Sequence, residues 1–513
     1  MQPLTTVKSF DQSLIVIEAL GQSNAPVGQN EIRKLTGLPR GTTQRLLTAL
    51  VSLGYVIFDE GQYSLAPKCR LFALSFFDSC GLAEVEHIHL PELSDRLNVP
   101  LSIQVLDDQD IVVTAYHDAA AGRRTFFAKP GTRVPALETA GGIALFAARP
   151  DGRLGAHANA AAMGLSVSAI DPMIDAAQKT GFALFEGDMD PGLLGVAVAL
   201  KNPCGSPFAA LHASIYSQQN GSGGAEAGLG AALVNLALAI SLAKQTSSTT
   251  ERSQRLPSAT DDGESNEPDT SLSRGLRVVA AFGKYLPAPT IADLARATNL
   301  DRAVVRRLLN SLVARGYAEM QEGRYRLTPR TLGLGYARFA TASLNELVQP
   351  VLDQLSSELA ESTSVYVLKD GFSECIARSD ISRRRLKYMV ERGTKLPLAY
   401  SASGRILMST VPDEKVLDIL RSQELEPRTP YAARTAEEIL EIVRAARRDG
   451  FVVNNQELDV GMLSASVVLK NRRGEALGSI GISSQVERTT PDLLKRDFVP
   501  ILLAAAGELA TYL

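Results

Sequence analysis

Two stretches 262 residues apart place matching polar side chains at matching helical positions. "LTGLPRGTTQRLLTALVSLGY" (35–55) offers Arg40, Thr42, Thr43, Gln44 and Arg45, and "ATNLDRAVVRRLLNSLVARGY" (297–317) offers Arg302, Val304, Arg306 and Arg307. Guanidinium groups beside hydroxyls and an amide on one helix face suit contacts to phosphate oxygens and base edges of double-stranded DNA. Arg324 and Arg326 follow shortly after the second stretch, where the first has Gln62 and Ser64. Catalytic chemistry has no comparable footing. The chain contains no G-x-x-x-x-G-K-[ST], H-E-x-x-H or G-x-S-x-G, and Ser464 has no histidine in its half with which to form a nucleophilic dyad. No catalytic residue and no enzyme activity are expected.

The elements that must carry these side chains can be read from periodicity. Leu14, Ile17 and Leu20, like Leu276, Val279 and Phe282, mark a first amphipathic helix. A second short helix is expected around 29–35 and 291–297. "TGLPRG" and "TNLDRA" then break the chain. Pro39 suits a first helical turn and Asp301 an N-terminus. A third helix over 39–53 or 301–315 buries Leu46, Leu47 and Leu50, or Leu308, Leu309 and Leu312, and turns the arginines outward. "GYVIFDEGQYSLAP" and "GYAEMQEGRYRLTP" read as hairpins. Together these elements make a winged helix-turn-helix whose third helix enters the major groove. A helix pair and hairpin that merely dimerise would show the same pattern once; the same polar face appearing twice favours DNA.

The repetition extends beyond the heads. Residues 13–67 align with 275–329 without a gap, and 19 of these 55 positions are identical. "KPGTRVPALETAGG" (129–142) matches "ERGTKLPLAYSASG" (391–404) at the same offset, and "GFALFEGDMDPGLLGVAVALKNPCG" (181–205) matches "GFVVNNQELDVGMLSASVVLKNRRG" (450–474) at an offset of 269. A two-domain unit has been duplicated. The expected boundaries are 1–78 and 271–338 for the heads, 79–244 and 339–513 for the larger domains, and 245–270 for a disordered Ser/Thr/Asp/Glu-rich linker. Such a linker spans about 30 Å as a coil. That is comparable with the ~34 Å between DNA half-sites one turn apart, so one chain could form a pseudo-dimer on one site, with a further homodimer also open.

The heads differ in charge. Residues 271–340 hold 12 Lys/Arg and 4 Asp/Glu, whereas the matching window 9–78 holds 6 of each. Because phosphate neutralisation dominates affinity, the second head is expected to supply most of the binding. The whole chain is near neutral, with 53 basic and 56 acidic residues in 513. Four scattered cysteines argue against a disulfide framework or a thiolate zinc site. All five histidines lie in the first half, and His87 and His89 lack a helical metal-ligand partner, so neither a metal nor a cofactor is expected. The N-terminus shows no signal peptide, and the apolar run 228–244 is too short and too polar to span a bilayer. A cytoplasmic protein without membrane contact is expected.

The heads, with "TGLPRGTTQRLLTALVSLGY" and "GQYSLAP", each followed by a domain of roughly 170 residues, resemble those of the IclR family of bacterial transcriptional regulators. "RGTKLPLAYSASGRILMS" (392–409) and "GFVVNNQELDVGMLSASVVLKNRRGEALGSIGISS" (450–484) are similar to that family's effector-binding signatures, nearest to the subgroup governing protocatechuate and hydroxybenzoate catabolism. The resemblance implies an α+β chain: winged helix-turn-helix domains plus GAF-like α/β effector-binding domains over antiparallel sheets. It implies a second-copy pocket formed by Ser401, Ser403, Gly404, Asn455, Glu457, Leu463, Ser464, Ser466 and Ser483, taking a small carboxylate. Arg378 or Arg383 is expected to add a bidentate contact, while Arg384 and Arg385 read as a solvated run. In the first copy Thr139, Gly141, Gly195 and Ala197 stand where the second has Ser401, Ser403, Ser464 and Ser466. That pocket is expected to be degenerate or to bind something more apolar. The resulting expectation is a DNA-binding regulator answering an aromatic or other small carboxylic acid; the alternative is an architectural regulator without ligand response.

Overall fold

The computed structural model describes residues 5–513 except 24, 83–84, 86–88, 119–128, 189–191, 203–204, 217–224, 252–269, 284–285, 381–389 and 424. It divides into two compact units, Met1–Leu65 with Cys69–Thr341, and Ala342–Leu513 with Ala66–Lys68. The first unit therefore holds both heads and the first larger domain, and the second holds the other larger domain.

In the first head, α1 (Lys8–Gln22), α2 (Gln29–Thr36) and α3 (Arg40–Ser52) precede an antiparallel hairpin. The hairpin is β2 (Val56–Asp59) with β3 (Gln62–Leu65), and the two-residue β1 (Val27–Gly28) pairs with β3. Phe10, Leu14, Ile17 and Leu20 form the buried stripe of α1. The helix α4 (Arg70–Cys80) then leads through α5 (Leu90–Leu97) into the larger domain.

That domain is built on six antiparallel strands: β4 (Leu101–Asp107), β5 (Asp110–His117), β6 (Arg133–Pro135), β7 (Ala183–Glu186), β8 (Leu193–Lys201) and β9 (Pro207–Tyr216), in the order β6-β5-β4-β9-β8-β7. The helices α6 (Ala140–Ala148), α7 (Gly152–Met163) and α8 (Val167–Thr180) bury Ile143, Phe146, Ile170 and Ile174 against one face of it. α9 (Ala225–Glu251) follows and packs Leu233, Ala237 and Ile240. It runs on to Glu251, into the segment expected to be linker from residue 245, as the propagation of a helix already formed upstream. The rest of that linker, 252–269, lies outside the described residues.

The second head repeats the pattern with α10 (Ser271–Ala280), α11 (Ile291–Thr298), α12 (Arg302–Ala314), β10 (Ala318–Gln321) and β11 (Arg324–Leu327). Its helix starts are better capped. Thr270 with Ser273 and Thr290 with Asp293 form reciprocal capping boxes, whereas the helices of the first head show no side-chain cap. The backbone N–H of Thr290 holds the Asp293 carboxyl below its usual range. Pro289 takes the place of Val27, and the third strand of the wing shrinks to one bond, Tyr325 N–H to Pro289 O at 2.9 Å.

The two heads pack on each other. α1 crosses α10, and Gly275 lies so close to the Phe10 ring that a methyl group there would overlap it. Val7 N–H donates to Ser311 Oγ at 2.9 Å, Asn310 Nδ2 to Thr5 O at 3.1 Å, and Arg330 to Glu18 at 3.1 Å. Just beyond the second wing, Tyr336 Oη donates to Thr114 O of the first larger domain at 2.5 Å.

The second unit begins with α13 (Leu344–Leu359) and has the strands β12 (Ser362–Lys369), β13 (Phe372–Ser379), β14 (Lys395–Pro397), β15 (Phe451–Asn455), β16 (Met462–Lys470) and β17 (Ala476–Gln485). Their order, β14-β13-β12-β17-β16-β15, repeats that of the first domain. So do the irregularities: a register shift at Ile103/Gln104 recurs at Val365/Tyr366, and one at Leu200/Lys201 recurs at Leu469/Lys470. Bulges re-aim side chains, and Gln104 and Tyr366 follow them directly. α14 (Ala402–Met408), α15 (Asp413–Ser422) and α16 (Ala436–Asp449) cover one face, and α17 (Val499–Ala510) packs on β16. Among the described residues no helix is long and apolar enough to cross a membrane.

Candidate nucleic-acid interface and effector cavities

The recognition helices α3 and α12 start within one residue of the expected positions: Pro39 is an extended N-cap residue and not in the first turn, and Asp301 is at the N-cap, its side chain making no capping bond. Arg40, Gln44 and Arg45 are exposed on α3, and Arg302, Arg306 and Arg307 on α12; Thr42 and Val304 sit half-buried at their edges. Thr43 does not join this face. It is fully buried and donates to Pro39 O at 3.1 Å. Its counterpart is Val305, also fully buried, and that pairing of a β-branched hydroxyl with a β-branched hydrocarbon was the available signal. On the second wing Arg324 is exposed and donates to Ala288 O at 3.0 Å, while Arg326 is half-buried opposite Glu319.

In the second unit the structure gathers five of the expected serines. Ser401, Ser403, Ser464, Ser466 and Ser483 line one cavity, walled by Tyr366, Val390, Leu396, Leu458 and Met462. β16 and β17 supply Ser464 opposite Ser483 and Ser466 opposite Gly481. Ser401 caps α14 through Gly404 N–H at 3.0 Å, and Ser403 Oγ meets Ser373 Oγ at 2.7 Å. The open space is about 20 Å³, room for one water. A ring-sized molecule enters only by displacing side chains such as Met462 and Leu458.

The remaining expected residues stand elsewhere. Gly404 abuts the Leu398 backbone, where any side chain would overlap, so its smallness serves helix packing. Asn455 is exposed; strand alternation buries its neighbour Asn454 instead, which donates to Tyr400 O at 2.7 Å and accepts from Glu457 N–H at 3.2 Å. Leu463 is buried, but between Met462 and Ser464 it points to the other face of β16. Arg378 is bound to Asp380 at 2.7 and 2.9 Å and is not among the lining residues. Arg383, Arg384 and Arg385 lie outside the described residues.

Glu457 is held by a residue the sequence did not single out. Arg405, fully buried on α14, donates to both Glu457 oxygens at 2.6 Å and to Ala399 O at 2.7 Å. This bidentate pair ties the loop after β15 to α14 and does not face the cavity. Burial pushes the Cys375 thiol up to about 11, which leaves it an inert filler behind Tyr366.

In the first larger domain, among the described residues, the equivalent place is taken up by side chains. Asp188 stands where Glu457 stands, but Arg405 is replaced by Ile143, and Asp188 turns inward. Its carboxylate accepts from Ala140 N–H at 3.2 Å and bonds to His212 Nε2; His212 Nδ1 meets Ser102 Oγ at 3.0 Å. Serine, histidine and aspartate in series invite a catalytic reading, but all three are buried, out of reach of any substrate. A distinct apolar pocket of about 310 Å³ lies between α6, α8, β8 and α9. Among the described residues no group of histidine, cysteine and acidic side chains could hold a metal.

Comparison with known proteins agrees with this architecture. The family model "Bacterial transcriptional regulator IclR C-terminal" matches residues 338–511, and "IclR helix-turn-helix domain" matches both 9–60 and 271–322. The Pca regulon regulatory protein of Pseudomonas putida is 34% identical over 245 residues, 47% of this chain and 84% of that protein. The p-hydroxybenzoate hydroxylase transcriptional activator of Acinetobacter baylyi is 26% identical over 242 residues, 46% of this chain and 89% of its own. Among solved structures, an IclR homolog from Microbacterium hydrocarbonoxydans complexed with 4-hydroxybenzoate is 20% identical. It covers 47% of this chain and 98% of its own, with a TM-score of 0.30. Each relative corresponds in length to one of the two units of the duplication.

Proposed function

The chain belongs to the IclR family of bacterial transcriptional regulators, and from that premise we propose that it reads DNA with two unequal heads and answers an aromatic carboxylic acid bound in its second effector domain. It is a DNA-binding regulator and not an enzyme. The observation that supports the effector assignment is the convergence of Ser401, Ser403, Ser464, Ser466 and Ser483 on one cavity with apolar walls. Hydroxyls on one side can satisfy a carboxylate or phenol, and Tyr366, Leu396, Leu458 and Met462 suit the ring. The relatives named for the Pca regulon and for p-hydroxybenzoate hydroxylase favour the same class.

In this reading Arg302, Val304, Arg306, Arg307, Arg324 and Arg326 supply most of the DNA affinity, and Arg40, Thr42, Gln44 and Arg45 a weaker or more discriminating share. The contact between α1 and α10 makes the heads a pseudo-dimer within one chain. Ligand and DNA are coupled only if the ligand prefers one placement of the heads. The test is DNA binding by the full chain to its own upstream intergenic region, with and without hydroxybenzoates and protocatechuate. A ligand-dependent shift in affinity is expected; specific binding indifferent to every such acid would overturn the effector assignment. The narrowness of the cavity favours, as second reading, a regulator without ligand response, and that same indifference would be its signature.

A further inference from the structure

The effector domains differ in their interiors by a set of exchanges that compensate one another in space. On β16 and β17 the facing pairs are Ser464 with Ser483 and Ser466 with Gly481. The equivalent pairs on β8 and β9 are Gly195 with Ser214 and Ala197 with His212. Side chains have been removed from one strand and a large one added on the other. A methyl group at Gly195 would overlap the Asp188 carboxylate, and one at Gly141 would overlap the Gln104 amide. Gly195 and Gly141 therefore do not mark an emptied pocket. They make room for side chains of the domain itself.

We propose that the first effector domain carries a built-in occupant: the Asp188 carboxylate, held by Ala140 N–H and His212, fills the place that the second domain leaves as a serine-lined cavity. Removing it opens a site for a free small carboxylate. Asp188 and His212 are buried, and Gln104, fully buried beside them, donates to Ser102 Oγ at 3.4 Å while its Oε1 has no hydrogen-bond partner among the described residues. The acidic group satisfies the donors that a bound acid would meet, so at this place, among the described residues, the wild-type domain leaves no room for one. The domain is fixed in a filled state, and it is also the domain on which Tyr336, at the exit of the second head, is anchored.

The test uses the full chain and hydrogen exchange read peptide by peptide, with acetate and formate as probes. In Asp188→Ala the peptides covering 137–148 and 207–216 should exchange more than about tenfold faster than in the wild type, since a buried charge-assisted bond is gone. Millimolar acetate or formate should restore their protection, and sodium chloride at equal ionic strength should not. The double variant Asp188→Ala with His212→Gly leaves no unpaired buried imidazole, so it keeps the test open if the single variant does not fold. It should gain protection from acetate in the same peptides. Variants that answer no carboxylate, or wild-type peptides that gain protection from one, would overturn the proposal. Peptides 396–408 and 462–485 report separately on the second cavity, so a failure of the effector reading there is distinguishable from a failure here.

Discussion

Gln44 and Arg306 occupy the same turn of their recognition helices, both exposed, and Ala197 and Ser466 occupy the same rung of their sheets, one facing His212 and the other Gly481. On their recognition helices the heads have diverged chiefly on the outside, where replacement changes charge without disturbing packing; Thr43 with Val305, and Val27 with Pro289 away from those helices, are buried exceptions. The effector domains have diverged on the inside, where each change had to be matched by another. Surface change is additive and leaves the two heads with the same fold. Interior change is coupled: where one domain keeps a cavity, the other holds packed side chains.

The largest expected effect comes from the acidic position that the effector domains share. Arg405→Ile copies Ile143 into the second domain and strands Glu457 beside apolar groups. A loss of about 3–5 kcal/mol of stability is expected in chemical unfolding. A loss below about 1 kcal/mol would mean that Glu457 finds other donors, and that the two acidic residues differ less than their bonds suggest.

Next comes DNA affinity. Arg302→Ala with Arg306→Ala should cost about 1–3 kcal/mol per base-reading arginine, or lower the salt slope by about 0.9 per lost phosphate contact. Arg40→Ala should cost less, and Gln44→Arg should steepen the slope of the first head. Fluorescence anisotropy titrations at several salt concentrations measure all three, and equal losses from both heads would break the asymmetry.

Gly195→Ser, which copies Ser464 into the first domain, forces a side chain into Asp188 and should destabilise by about 1–3 kcal/mol. The reverse change, Ser464→Gly, should leave the melting temperature nearly unchanged. The smallest effect concerns caps. Thr290→Ala should cost about 1 kcal/mol at neutral pH. The Asp293 carboxyl is depressed in the folded chain, so its contribution is present above the ordinary aspartate range and lost as pH falls through the folded value. The difference between wild type and variant should therefore shrink in acid, in urea titrations at neutral and low pH.

The heads were legible because helical spacing and an ungapped repeat declare both the fold and its outward face. Thr43 was misplaced because composition alone does not say which of two adjacent threonines turns inward, although Val305 opposite it does. In the second effector domain the expected serines line one cavity, but the side chain turned inward at the end of β15 is Asn454 and not Asn455, because one step along a strand exchanges its faces. Arg405 stayed hidden because its partner lies 52 residues away and a charged residue on a buried helix looks like an exposed one. The plug in the first domain looked like loss, since glycine and alanine replaced serine along the chain. Only the register across β8 and β9 shows His212 occupying what those replacements vacated.

The packing of α1 on α10 has a consequence for the genetics of the site this protein reads. A regulator assembled from identical chains changes both of its heads with every mutation, and its target tends toward a palindrome. Here Phe10 meets Gly275, not a second Phe10, and each head is encoded once. If one chain covers one operator, as proposed, a base change in one half of it can be followed by a codon change in one head, with the other half left as it was. On that reading the two halves are free to drift into unrelated words.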